Sequence, residues 1–229
     1  MAKLDAADVT VKRPNLKQEV AKYVRDLILS GGARPGQRLD QDRIAEELGV
    51  SRLPVREALI TLEGEGLVEN VARHGSYVAS LEPADISDQF EMYGLLSGLA
   101  AARAAIARPD GMVEQLEQIV AQMRVNTDPR EHDRLNFMFH QVINKAGASR
   151  RLVAVLRTLS GSMPTHFFEH HTGRGFREQA LDEHDTILEA LRNGDGQAAS
   201  TALIEHFTHT GKEAVQMLRE NGFWDHEES

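Results

Sequence analysis

The sequence has no cysteine among its 229 residues. Disulfides, thiolate metal sites and cysteine nucleophiles are therefore excluded. It also lacks any run close to the roughly 20 apolar residues that a membrane-spanning helix requires. The first ten residues, MAKLDAADVT, contain no basic segment followed by an apolar one, which a secretory signal would show. These absences predict a cytoplasmic protein with no membrane segment.

Aromatic residues are scarce, at 5%, whereas the 41% hydrophobic and 27% charged residues are typical of a soluble globular chain. Charge is unevenly distributed. Residues 1–80 contain 12 basic and 12 acidic side chains, and residues 81–229 contain 14 basic and 23 acidic ones, which accounts for the whole net charge of −9. Eight of the ten histidines fall between His132 and His209. Both patterns indicate two units with different partners.

Periodicity in the first 80 residues predicts three short helices. The first carries apolar residues at helical spacing and ends at a glycine pair; these residues are Leu16, Val20, Val24, Leu27 and Ile28. Arg38 and Leu39 form a short extended piece, and Asp40 can cap the second helix, which Gly49 ends. Ser51 can cap the third, with Pro54 tolerated in its first turn. The inward face of that third helix is Val55, Ala58, Leu59 and Leu62.

Alternating residues 67–71 and 76–79 flank a glycine-containing turn, which predicts a β-hairpin. From Ile86 to Glu220 only helical periodicity remains, enough for about six helices, and the residues from Gly222 onward are expected to be a frayed acidic tail. The sequence thus predicts a mainly α protein. An N-terminal winged helix-turn-helix with a small β-hairpin spans residues 11–80, and a C-terminal all-α helical bundle spans residues 86–220.

The third helix carries the chemistry of the first unit. Its N-terminal turn would meet base edges in a major groove, and Arg52 and Arg56 are four residues apart on one face. An arginine fork can grip guanine O6 and N7 or a phosphate. The alternative is a solvated face on which these arginines pair with Glu57 or Glu63.

The segments PGQRLDQDRIAEELGVSRLPVREAL and GLVENVARHGSYV closely resemble the N-terminal domain of GntR-family bacterial transcription regulators. The resemblance implies binding to double-stranded operator DNA. It assigns DNA contacts to Ser51, Arg52 and Arg56 on the recognition helix and to His74 and Gly75 on the wing. Arg38, just before the second helix, matches a position that can touch the DNA backbone. Asp42 stands where some members have an arginine, so no contact is expected there.

Three helices of the second unit carry histidines. Asn136 and His140 are four apart and share a face, while His184 and His206 lie on later helices. Imidazoles that converge inside a bundle suit a borderline divalent metal such as Zn, Ni or Mn. The alternative is that they are dispersed core or surface residues. Four further histidines of this region, His132, His166, His170 and His171, are expected at the surface or in flexible segments.

The segments FHQVINKAG, EHDTILEALRNGD and LIEHF resemble the FCD ligand-sensing domain of the FadR subfamily. That resemblance implies a divalent metal, Zn foremost, held by Asn136, His140, His184 and His206, with Asn136 in place of the more usual aspartate. It also implies a small carboxylate effector on the open coordination positions. Tyr93 and Ser97 occupy the approximate places of the subfamily's arginine and glutamate, and no effector-binding residue is assigned.

The resemblance favours a ligand-responsive transcription regulator, acting as a homodimeric repressor on a pseudo-palindromic operator. Two alternatives remain: the same regulator with a metal-free effector pocket, and a metal-dependent enzyme with an accessory DNA-binding domain. Glu183 is the sequence neighbour of His184, but adjacent helical side chains diverge by about 100°, so its carboxylate is expected to face elsewhere. Three arginines can balance an effector carboxylate or lie at the surface: Arg103, Arg134 and Arg157.

Overall fold

The computed structural model describes residues 16–161, 163, 174–220 and 222–224. Its elements follow the chain in the order α1 (Leu16–Leu29), β1 (Arg38–Leu39), α2 (Gln41–Glu47), α3 (Arg52–Gly64), β2 (Val68–Val71), β3 (Gly75–Val78), α4 (Pro83–Ala107), α5 (Met112–Val125), α6 (Pro129–Gly147), α7 (Arg150–Gly161), α8 (Arg174–Asn193) and α9 (Gly196–Glu220). The expected fold class is confirmed, with six helices after Pro83 among these described residues.

The N-terminal unit is a winged helix-turn-helix. Asp40 caps α2 by accepting hydrogen bonds from the backbone of Asp42 and Arg43, and the buried face of α3 consists of Val55, Ala58, Leu59 and Leu62, as predicted. The sheet is larger than the expected hairpin. β1 pairs antiparallel with the free edge of β3, giving the order β1-β3-β2. Two residues are too few for periodicity to reveal a strand, so this pairing was not visible in the sequence.

The bundle is built around a close contact between α4 and α9. A Cβ added to Gly94 would lie 2.9 Å from Phe207 Cβ, and one added to Gly211 would lie 2.9 Å from Phe90 Cβ. Gly147 at the end of α6 likewise lies against the backbone carbonyl of Ala100. Because these positions have no side chain, the helix backbones approach closely and the surrounding core is dense.

Residues 222–224 correct the expectation of a frayed tail. Phe223 is only 1% exposed, and the indole of Trp224 donates a 2.6 Å hydrogen bond to the carbonyl of Leu81. Burial of two aromatic rings outweighs the local bias of glycine and acidic residues toward disorder. The end of α9 is thereby attached to the segment that connects β3 with α4.

Candidate DNA-binding surface and metal centre

The N-terminal turn of α3 presents an exposed, mixed surface. Ser51 occupies the N-cap position, but its side chain makes no capping hydrogen bond. Arg52, Leu53 and Arg56 are all exposed, and Leu53 is 63% exposed although it is apolar. Because Val55 and Leu59 anchor the opposite face in the core, this turn is held rigidly with its polar and apolar groups toward solvent. Such a turn can offer guanidinium forks to guanine and a methyl contact to thymine.

The wing supplies the second part of this surface. Arg73 and Gly75 both have positive φ, 66° and 114°, in the tight turn between β2 and β3, and His74 is exposed at its tip. A Cβ on Gly75 would lie 3.3 Å from Nε of Arg38. Glycine is therefore required here both by the backbone and by the neighbouring guanidinium, and Arg38 is placed beside the wing.

Arg52 forms an ion pair that the sequence did not indicate. Its partner is Asp42 on α2, rather than Glu57 or Glu63, and the two side chains are 75% and 60% exposed. Glu63 instead accepts a hydrogen bond from Asn70 in β2. An ion pair this exposed contributes only about 0–1 kcal/mol, so the guanidinium of Arg52 can be released to a base or a phosphate at small cost.

Three buried histidines from different helices meet inside the bundle. His140 on α6, His184 on α8 and His206 on α9 are 4%, 0% and 3% exposed. Each offers a ring nitrogen, and the three nitrogens all lie within 4.8 Å of one another. Phe139 packs 4.4 Å from the ring centre of His184, and Phe207 packs 4.7 Å from that of His140. The cluster is therefore enclosed by aromatic side chains.

The protonation of this cluster matches a cation site. Within the described residues, neither ring nitrogen of His140 or of His184 has a hydrogen-bond partner. Burial, and then the neighbouring His206, lowers the pKa of both His140 and His184 well below the ordinary value. The rings are thus neutral and have free lone pairs. Leaving such groups unsatisfied is costly in a dry interior, and coordination of a divalent ion satisfies them.

Asn136 lies one helical turn before His140 on α6 and is half-buried. A hydrogen bond to the cluster comes from a different side chain. Glu183, on α8, places a carboxylate oxygen 2.7 Å from Nδ1 of His206. This contact corrects the expectation that its carboxylate faces away from the site. The 100° argument concerns only neighbours on one helix, whereas the contact depends on how α8 and α9 are rotated against each other.

A second polar cluster lies one turn further along α6. Asn144 donates a 3.0 Å hydrogen bond to the hydroxyl of Tyr93 and accepts a 2.8 Å one from Ser97. All three side chains are buried, and Tyr93 packs edge-on against Phe207, with ring centres 4.7 Å apart. Neutral hydrogen-bonding groups thus occupy the interior next to the histidines, separated from them by one aromatic ring.

The candidate arginines lie outside this interior. Arg103, Arg134 and Arg157 are exposed, and Arg134 pairs with Glu131 on its own helix. A carboxylate ligand inside the bundle would therefore not meet any of these three charges. His166, His170 and His171 fall outside the described residues.

His132 corrects another expectation, because it is buried at 4% exposure rather than at the surface. Its helix turns it inward together with Leu135 and Phe139. Burial, followed by the positive charge of Arg177, lowers the pKa of His132 to about 4.

This pKa predicts an acid-dependent loss of stability. Between pH 6.5 and about 4 the unfolded chain binds a proton at residue 132 and the folded chain does not, so the free energy of unfolding falls as the pH falls. Below about pH 4 both states are protonated and the loss stops. We expect His132→Gln to reduce this slope in urea denaturation between pH 7 and pH 4. An unchanged slope would show that residue 132 does not contribute.

The two units together define a class of protein: a DNA-binding module joined to a ligand-sensing bundle. Comparison with known families agrees. Residues 16–78 match the model of the bacterial regulatory proteins of the gntR family, and residues 88–209 match the FCD domain. The chain belongs to the GntR family of bacterial transcription regulators, with a C-terminal FCD ligand-binding domain. Its family is one of regulators, not enzymes.

Individual relatives support this assignment. An uncharacterized HTH-type transcriptional regulator of Mycobacterium tuberculosis is 30% identical over 82% of this chain and 76% of that protein. The HTH-type transcriptional repressor RspR of Escherichia coli is 26% identical over 93% and 95%. The solved structure of E. coli McbR/YncC shares the fold with a TM-score of 0.67, at 20% identity over 88% of this chain and 97% of that one. Within the part described, no helix is both long and apolar enough to span a bilayer.

Proposed function

We propose that this chain is a repressor that binds a pseudo-palindromic operator as a homodimer and is controlled by a small organic or sugar acid. In this proposal residues 11–80 form the DNA-binding unit, and residues 86–220 form the unit that binds effector and dimerises. The observation that carries the sensing part is the group of three buried imidazoles, two of which have no hydrogen-bond partner among the described residues. RspR, named as a repressor, supports the sign of regulation.

The donor set supports a metal-containing pocket. FCD domains often bind metal, and three buried imidazoles suit Zn or Ni, with Mn as a further candidate. His140, His184 and His206 would hold the ion, and Asn136 would contribute an amide oxygen as a neutral fourth ligand. A divalent ion in this pocket supplies positive charge and open coordination positions for a carboxylate. Since the three candidate arginines are exposed, the ion is the charge to which the effector's carboxylate would be attracted.

An apolar stripe on α4 supports the homodimer. Met92, Leu95, Leu99 and Ile106 are 46%, 50%, 42% and 74% exposed. Their spacing of three, four and seven residues places them on one face of the helix. A contiguous exposed apolar stripe is typical of a surface covered by a partner, and a second copy would cover it symmetrically. Two copies would present two recognition helices to successive major grooves, as a pseudo-palindrome requires.

Release of operator by an acid tests the proposed control. An operator is first selected from random duplexes with the wild-type protein, and binding is followed by fluorescence anisotropy with Zn present. We expect two chains per duplex. At least one acid in a panel of small hydroxy-, oxo- and sugar acids should weaken binding by roughly 5- to 150-fold, the usual range of allosteric coupling.

The same titration with His140→Leu separates the alternatives. Loss of the acid's effect in this variant is expected if the acid binds through the metal. Persistence of the effect without metal would identify a metal-free pocket instead, with Tyr93, Ser97 and Asn144 as its nearest polar groups. If no acid changes operator affinity, the effector assignment is wrong, whereas family membership is unaffected.

A further inference from the structure

One carboxylate joins the histidine cluster to the surface of the bundle. Glu183 on α8 accepts from two imidazoles of α9: its Oε2 lies 2.7 Å from Nδ1 of His206, and its Oε1 lies 2.8 Å from Nδ1 of His209. Gln179, one turn earlier on α8, donates a 2.9 Å hydrogen bond to the same Oε1. The side chain of Glu183 is 19% exposed, that of His206 4% and that of His209 44%.

These contacts determine which nitrogen of His206 is available. An ionised carboxylate can only accept hydrogen bonds, so Nδ1 of His206 must carry a proton. The carboxylate of Glu183 meets three nitrogens that can donate, from His206, His209 and Gln179, and it is therefore the acceptor in all three contacts. In the neutral ring, Nε2 then has the free lone pair, and it is the nitrogen left to act as a ligand.

His206 differs in this respect from its two neighbours. Neither His140 nor His184 has a hydrogen-bond partner on either nitrogen within the described residues. Their tautomers are therefore not selected by a neighbour, whereas the tautomer and ring orientation of His206 are. Histidine ligands in proteins usually donate their second N–H to such a carboxylate, which orients the ring and increases its basicity.

We propose that Glu183 is the positioning residue of the metal centre, holding His206 in the Nδ1–H tautomer with Nε2 directed at the shared site, and that His209 and Gln179 hold Glu183 in place. This inference rests on the proposed metal centre. It assigns a role to a residue that is not a ligand, and to a half-buried histidine, His209, that lies outside the cluster of three.

Zinc affinity and imidazole tautomers test this role in the full-length chain. Zn²⁺ affinity is measured by competition with a chromophoric chelator. The tautomer of His206 is read in metal-free, ¹⁵N-labelled protein from long-range ¹H–¹⁵N correlations, assigned with His206→Gln. We expect Glu183→Gln and Glu183→Ala to lose about 10- to 100-fold in Zn²⁺ affinity and to lose the pure Nδ1–H signature of His206. His209→Ala should show a smaller loss, because Gln179 still holds the carboxylate.

Glu189→Gln is the matched control, since it makes the same change at an exposed position of the same helix. It should leave both readouts unchanged. Circular dichroism identifies variants that fail to fold, and Glu183→Gln, which keeps the side-chain shape, carries the test if Glu183→Ala does not fold.

Two distinct failures are recognisable. Wild-type Zn²⁺ affinity in both Glu183 variants, with the His206 tautomer unchanged, would overturn the positioning role and leave Glu183 as a tie between α8 and α9. Failure of the wild type itself to bind Zn²⁺, Ni²⁺ or Mn²⁺ would overturn the metal centre and this role with it. Binding by the wild type and weakened binding by the Glu183 variants supports both.

Discussion

Replacement of Arg52 or Arg56 by alanine is expected to weaken operator binding by roughly 5- to 150-fold for each residue, because a bidentate arginine–guanine contact contributes about 1–3 kcal/mol. Both side chains are exposed on the N-terminal turn of α3, whose opposite face is anchored in the core. Removing either one should therefore change DNA contacts without unfolding the domain. Fluorescence anisotropy on the selected operator and on a scrambled duplex measures the effect.

The pattern across duplexes identifies what each arginine touches. A loss of affinity confined to the selected operator indicates a base contact. An equal loss of affinity on both duplexes indicates a phosphate contact, and the salt dependence of binding should then fall by about one released counterion. Arg151→Ala, an exposed arginine on α7, is the control and should bind as the wild type does. Affinity equal to wild type in both Arg52→Ala and Arg56→Ala would refute the recognition-helix assignment.

Replacement of Asp42 is expected to have the opposite effect on DNA affinity. Its carboxylate pairs with Arg52 in the free protein and would face a polyanion in the complex. Asp42→Asn should consequently tighten DNA binding, by up to about fivefold for an exposed pair of this kind. Combined with Arg52→Ala, the Asp42→Asn change should lose most of its effect if the ion pair is its cause.

His140→Leu is expected to remove the metal and, at the same time, to stabilise the metal-free protein by about 1–3 kcal/mol. Two buried ring nitrogens of His140 have no hydrogen-bond partner in the described structure, and an unsatisfied buried polar group carries a penalty of this size. Leucine is apolar and close to histidine in volume, so it relieves the penalty with little crowding of Phe139 or Phe207. In elemental analysis we expect about one metal ion per wild-type chain and almost none in the variant.

Asn144→Leu is a matched comparison on the same helix. Asn144 is also buried, but it is hydrogen-bonded to Tyr93 and Ser97. Its replacement leaves those partners unsatisfied, so urea denaturation without metal should show a loss of about 1–3 kcal/mol, with the metal content retained. A metal-free His140→Leu protein less stable than the wild type would show that the histidine is already satisfied and that the cluster is ordinary core.

Local signals account for what could be predicted in the first unit. The cap at Asp40, the turn at Gly49 and the apolar spacing of Val55, Leu59 and Leu62 each act within a few residues, so the sequence determines them directly. Where long-range pairing was involved, as between β1 and β3, prediction failed. Residues 222–224 were mispredicted for the same reason, because the indole of Trp224 finds its partner at Leu81, far away in sequence.

In the bundle, the spacing of histidines on separate helices could suggest convergence but could not demonstrate it. Helical periodicity gives the face of each residue on its own helix and not the rotation of one helix against another. His132 was therefore misplaced at the surface. Glu183 was expected to face away from the site for the same reason, and its contact with His206 could not be foreseen.

The glycine contacts between α4 and α9 have a mechanical consequence. Helix α4 has 25 residues and is therefore about 37 Å long. Ser97, near the middle of α4, belongs to the buried polar cluster. The first turn of α4 begins at Pro83, five residues after Val78, the last residue of β3. Because α4 and α9 approach closely at Gly94 and Gly211, α4 has little room to absorb a displacement by repacking side chains. A tilt of about 5° around its middle carries its first turn through about 1.6 Å. In the proposed homodimer, a tilt of α4 caused by occupancy of the interior site would change the separation of the two wings on the DNA.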